Sequence, residues 1–170
     1  MKVFFDTNVW IELLAIRVPE KEHEKKQAIN ASNALKEIKK NDGCIIITCK
    51  EQLCEIIQAV LKIQMRAYNK IQKEQQTHAG VGSVKEFRKS EEFETAKMIC
   101  QHVIEDMNQF SSIDSEFYYE IENIVDDLNV ADINDSMYYH YCNECGISLF
   151  TFDQDLVSLD TEKNTVKLLA

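Results

Sequence analysis

The sequence predicts an α/β fold: a mostly parallel central sheet flanked by helices, with a helical arm inserted in the middle. Three observations carry this expectation. Short apolar runs at residues 3–5, 44–48 and 147–151 alternate with longer stretches of helical periodicity. The run Cys44-Ile45-Ile46-Ile47-Thr48 is apolar on both faces, as a strand covered by helices on each side must be. Four Gly and a single Pro leave few places to break a helix.

Taken in order, residues 3–5 form the first strand and end in the polar turn Asp6-Thr7-Asn8. A helix follows over 9–16, its apolar surface supplied by Val9, Ile11, Leu13, Leu14 and Ile16. Pro19 and the charged run 20–26 mark a loop or helix start. Residues 28–38 then carry Ile29, Leu35 and Ile38 at near-helical spacing, up to the stop Asn41-Asp42-Gly43. Residues 44–48 are the second strand. Thr48 and Glu51 have the S/T-x-x-E spacing of a capping box, which opens a long helix from about Lys50 to about Gln76. The Gly80-Val81-Gly82-Ser83 segment breaks it; lacking a preceding strand, it is a turn and not a phosphate loop. A second long helix is expected over 84–110, another within 114–127, and one over 132–145 that Gly146 ends. Residues 147–151 are the third strand and 165–169 a fourth. No internal repeat appears, so 1–170 reads as a single domain with about 62–110 as the helical arm within it.

Composition is that of a folded globular chain, 45% hydrophobic and 28% charged. The apolar runs fall far short of the ~20 residues a membrane span requires. Asp6 interrupts the opening MKVFF before an apolar signal core can form. A cytoplasmic protein is therefore expected, and its six Cys read as reduced thiols. The pair Cys142-x-x-Cys145 sits at a helix C-terminus, where buried core thiols are a better reading than redox or zinc chemistry. His23, His78, His102 and His140 have no mutual ligand spacing.

Nineteen basic against 29 acidic residues give a net charge of −10, which argues against a polyanionic partner until the distribution is considered. Residues 111–160 hold twelve acidic side chains and no Lys or Arg. Residues 62–89 hold seven basic side chains and two acidic ones. Within that stretch Lys62, Arg66, Lys70 and Lys73 fall on one helix face, either a solvated surface or a contact for a polyanion's backbone.

Open parallel sheets place their active crevice at the carboxyl ends of the strands. Asp6 and Asp153 each follow a strand and so share that edge. Glu55 lies early in the helix after the second strand, and Asp135 lies in the first turn of the helix leading to the third. Each has a structural alternative: Asp6 as a helix cap, Asp153 as a turn residue, and Asp132 as the cap with Asp135 as its dipole partner. Four like charges in one crevice raise one another's pKa, a cost a divalent ion removes. An all-carboxylate set suits Mg²⁺ or Mn²⁺, and the chemistry it serves is metal-assisted phosphodiester hydrolysis.

The segments VFFDTNVW (3–10), TCKEQLCEII (48–57) and DINDSMYYHYCNECGISLFTFDQDL (132–156) resemble the blocks of PIN-domain ribonucleases, among them the VapC-like toxins of bacterial toxin–antitoxin pairs. The resemblance covers roughly the first 60 and last 40 residues and implies a PIN-like three-layer fold. It places the family's four acids at Asp6, Glu55, Asp135 and Asp153, with Asp155 as a further metal ligand and Thr7, Asn8, Thr151 and Asp132 as secondary polar members. Where small aliphatic residues are commoner, this chain has Ser136-Met137-Tyr138-Tyr139. The implied activity is a Mg²⁺- or Mn²⁺-dependent endoribonuclease, with RNA as substrate and an antitoxin and a homodimer as partners. Two other classes stand beside it. A catalytically inactive PIN-like binding module would share the fold. A haloacid-dehalogenase-like phosphatase needs a second acid two residues after the first, where this chain has Asn8.

Overall fold

A computed structural model describes residues 1–75, 80–162 and 164–169. Its centre is a five-stranded sheet in the order β3-β2-β1-β4-β5, every neighbouring pair parallel. The strands are β1 (Lys2–Phe5), β2 (Ile45–Thr48), β3 (Ser112–Ile113), β4 (Ser148–Thr151) and β5 (Val166–Leu168). From β1 the chain builds outward through β2 and β3, then returns to the other side of β1 with β4 and β5. The strand order thus reverses at β1 and β4, and such a switch point opens a crevice beyond the strands' carboxyl ends.

Alternation along the strands explains the layers. Val3 and Phe5 of β1 point into one apolar core with Ile46 of β2, while Phe4 points into a second with Ile47 and Leu149. The first core is covered by α1 (Thr7–Leu13), α2 (Glu22–Lys39), α3 (Lys50–Gln75) and α5 (Glu92–Phe110), which supply Val9, Trp10, Ile38, Ile56, Val60 and Met107. The second is covered by α6 (Ile121–Asp127), α7 (Ile133–Cys145) and α8 (Gln154–Leu159), with Tyr138, Tyr141, Cys142 and Leu156. The arm segment is anchored where it begins and ends: Ile56 and Val60 of α3 pack in the first core beside Cys100, Val103 and Met107 of α5.

Several local expectations are corrected. The helix placed at 9–16 runs Thr7–Leu13, because Ala15 takes a positive φ of 49° that swings Ile16 back into the core. The charged run 20–26 is the helix start of its two alternatives: α2 begins at Glu22, with Glu22 and Glu24 in its first turn and Lys36 and Lys39 in its last, as its dipole favours. The stretch 84–110 is two helices, α4 (Val84–Phe87) and α5, not one. The break follows Phe87, whose carbonyl accepts the Ser90 hydroxyl and whose buried ring sits between Tyr68 and Phe93. Strand β3 has no counterpart among the expected strands, and within 114–127 only Ile121–Asp127 is helical.

The Thr48–Glu51 capping box does not form. The Thr48 hydroxyl donates to Gln52 Oε1 at 2.7 Å, the Gln52 N–H meets Cys49 Sγ at 3.4 Å, and Glu51 is exposed. At the other end of the chain the caps fall as expected: Asp132 accepts from the N–H groups of Asn134 and Asp135, and Gly146 closes α7 at φ 63°. Gln76 and His78 lie outside the described residues. Among the described residues no helix is long and apolar enough to cross a membrane.

Candidate active site

The site builds from the ends of β1 and β4. Asp6 follows β1 directly, and its N–H is fixed by the Phe150 carbonyl of β4 at 2.9 Å. It stands at the start of α1 yet makes no side-chain cap bond. Its carboxylate instead accepts the Thr151 hydroxyl at 2.8 Å, with Asp6 1% exposed. A buried carboxylate held by the hydroxyl of a neighbouring strand calls for a purpose beyond its own helix.

Thr151 has a second duty. Its hydroxyl oxygen accepts the Asp153 N–H at 2.9 Å, so one side chain positions both acids of this edge. Asp153 is half-buried and caps α8 by accepting the Asp155 N–H at 2.8 Å on Oδ1. That oxygen makes Asp153 a helix cap, where the sequence allowed a turn residue. Asp155 is exposed in the first turn of α8.

Glu55 enters from α3. Its Oε2 accepts two hydroxyls, Thr7 at 2.8 Å and Tyr138 at 2.6 Å. Two donors on one oxygen fix the carboxylate and leave Oε1 without a protein donor among the described residues. Asp135 comes from the first turn of α7, with its N–H tied to Asp132 Oδ1 at 3.0 Å. Asp132 itself is exposed and acts as the cap. Gln52, which the sequence reading passed over, holds the edge from below: fully buried, it donates to the Phe5 carbonyl at 2.6 Å.

The electrostatics register the convergence. Burial pushes the Asp6 carboxyl up to about 7; the Thr151 hydroxyl and the Thr7 N–H oppose this, and the charges of Glu55 and Asp153 add to it. Burial likewise pushes Asp135 up to about 8, helped by the charges of Asp6, Asp132, Asp153 and Glu55. Asp135 thus feels the charges of Asp6, Glu55 and Asp153, and Asp6 those of Glu55 and Asp153.

A family model described as PIN domain matches residues 3–162. The chain belongs to the PIN-domain family. No curated protein and no solved structure matches it. PIN domains are in general nucleases that act on RNA and use Mg²⁺ or Mn²⁺. The donors on this PIN domain's edge are carboxylate oxygens, the hard ligands such cations take. Among the described residues no group of three His, Cys, Asp or Glu side chains is already drawn together into a shell that could hold a metal ion.

The remaining predicted residues are placed as follows. Asn8 is exposed and faces the cleft beside Asp153. Lys62, Arg66, Lys70 and Lys73 lie on α3 at or near its surface. Lys62 and Arg66 line the same cleft as Asp153, whereas Lys70 is paired with Glu20 at 3.0 Å. Cys142 is buried and Cys145 exposed, and all six Cys are free. His140 bonds to Asp127 at 2.8 Å and His102 sits 3.4 Å from Glu105. Tyr138, like Gln52, is a participant that sequence reasoning missed. Its signal was present, since a residue three positions after Asp135 shares a helix face with it.

Proposed function

We propose that this PIN domain is a Mg²⁺- or Mn²⁺-dependent endoribonuclease, with Asp6, Glu55, Asp135 and Asp153 as the cation-holding acids and Asp155 as a peripheral member. The observation that carries the reading is Asp6: a fully buried carboxylate at the sheet's switch point, bonded to Thr151 of the neighbouring strand and pushed toward neutrality by burial and by other acids. A bound divalent cation lowers the pKa of water and stabilises the oxygens of a phosphodiester under attack. The chain's own part is preparatory. Thr151 holds Asp6 and Asp153 in register, and Thr7 and Tyr138 hold Glu55. Asp132 caps α7 so that Asp135 starts at the crevice.

The proposal takes 1–170 as one domain, since α3 and α5 of the arm feed the same core as β1. A toxin role, with a protein antitoxin and a homodimer, is the biological setting that the resemblance implies. The test is cleavage of single-stranded RNA in Mn²⁺ or Mg²⁺ against a chelator control. Metal-dependent cuts that disappear in Asp6→Asn support the reading, and an inert wild-type protein in both metals refutes it. Growth arrest on expression, relieved by the same substitution, tests the toxin setting.

A further inference from the structure

Beside Asp153 the surface opens into a cleft of about 610 Å³. Sites of about 300–1,000 Å³ enclose small organic ligands. The lining of the cleft includes Lys62 and Arg66 of α3, Asn8 of α1 and Gln27 of α2. Half-buried Phe152, just before Asp153, also lines it.

Three kinds of chemistry meet there. The first is unspent positive charge. Glu12 and Arg17 in the cleft neutralise each other, and Arg17 also lies 3.6 Å from Glu24. Lys62 and Arg66 have no acidic partner among the described residues, unlike Lys70 one turn further along α3. The second is apolar surface, from Phe152, Ile11 and Ile63. The third is unused hydrogen-bonding capacity: the side-chain amides of Asn8, Gln27 and Gln154 bond to no protein group among the described residues. Cations, a ring and free amides in one cleft are the complement of a nucleotide, whose phosphate, base face and base edge need one each. Unpaired RNA is read in this way, with a splayed base on an aromatic side chain and its edge hydrogen-bonded.

We propose that this cleft binds one unpaired nucleotide of the RNA next to the scissile phosphate. Lys62 and Arg66 take its phosphate, Phe152 takes the face of its base, and the amides of Asn8 and Gln27 read the edge. The inference rests on the ribonuclease reading above and adds that cleavage depends on the identity of one base at a fixed distance from the cut.

The test uses single-stranded RNAs that differ at one position at a time around a mapped cut, cleaved in Mn²⁺ by the full chain. The wild type is expected to favour one base at one flanking position by about tenfold or more. Gln27→Ala and Asn8→Ala each reduce that ratio toward one. Lys62→Gln with Arg66→Gln raises KM for all sequences alike and flattens the salt dependence of binding, by about 0.7 log unit for each single-strand phosphate that is no longer neutralised. All four side chains lie at least partly at the surface, so the variants fold, which their melting curves check.

Cleavage that ignores the base at every flanking position overturns the cleft assignment and leaves the ribonuclease standing. So does a preference that Gln27→Ala and Asn8→Ala leave intact. If no RNA is cleaved, the ribonuclease reading fails instead. Binding of the same RNAs in Ca²⁺ then decides the cleft: base-dependent affinity that Gln27→Ala abolishes supports it, and base-independent affinity overturns it.

Discussion

The Tyr138 hydroxyl donates to Glu55 Oε2 at 2.6 Å, across 83 positions of sequence. The contact joins α7 to α3 over the crevice, and Thr7 completes it from α1 with a second bond to the same oxygen. The Tyr138 ring is itself held by Phe4 at 5.1 Å and by Phe117 at 6.2 Å, so the hydroxyl is presented from a packed base. Partners that orient a metal-ligating carboxylate are worth about 10–100-fold in affinity or activity.

Tyr138→Phe keeps the ring and removes the donor. Mn²⁺ affinity measured by calorimetry is expected to fall about tenfold, and Thr7→Val with Tyr138→Phe to lower it further, toward the limit for such partners. Thr7→Ser should restore what Thr7→Val loses. Unchanged affinity in the double variant would mean that Glu55 is held by packing alone.

Asp6→Asn and Asp153→Asn separate charge from shape. Asn at 153 can still cap α8, and Asn at 6 can still accept the Thr151 hydroxyl. Each should therefore abolish metal-dependent cleavage without unfolding the protein. In chelator each should raise the melting temperature, by about 2–4 °C for every kcal/mol of repulsion relieved in a chain of this size. Wild-type cleavage in both variants, or lower melting temperatures in chelator, would remove these residues from the site.

The same raised carboxyls set a pH dependence. Asp6 at about 7 and Asp135 at about 8 keep their protons in the folded state above the pH at which the unfolded chain has released them. The folded state then binds more protons than the unfolded one, so stability falls as pH rises. Without metal, melting temperature should decline from about pH 4 to about pH 8 and then level, and Asp6→Asn with Asp135→Asn should flatten that decline. A melting temperature that climbs over this range would show that the acids are ionised in the free protein.

How far the sequence disclosed these features depends on how local each determinant is. Asp6 and Asp153 were legible because a strand followed by an acid is a signal within a few residues, and so were the Asp132 cap and the Gly146 stop of α7. Strand β3 was not, because two residues paired to β2 carry no period. The break at Phe87–Ser90 was hidden as well, since no Gly or Pro marks it and an aromatic cluster makes it. Tyr138 was passed over for a related reason: its role exists only once α3 and α7 meet over the sheet. The Thr48–Glu51 spacing misled because a buried neighbour, Gln52, competes for the same hydroxyl.

That competition leads to the last prediction, which ranks two adjacent residues. Gln52 is fully buried and joins the ends of two strands, accepting the Thr48 hydroxyl at 2.7 Å and donating to the Phe5 carbonyl at 2.6 Å. Gln52→Leu fills similar space but leaves both partners buried without this bond, at about 1–3 kcal/mol each. The expected loss is about 2–6 kcal/mol, read from the urea midpoint at unchanged slope. Phe5 immediately precedes Asp6, so the same change loosens the acid and should lower cleavage even well below the unfolding transition. Exposed Glu51, which caps nothing, should tolerate Glu51→Gln within about 0.5 kcal/mol. A larger loss at Glu51 than at Gln52 would return the start of α3 to the capping box that the sequence suggested.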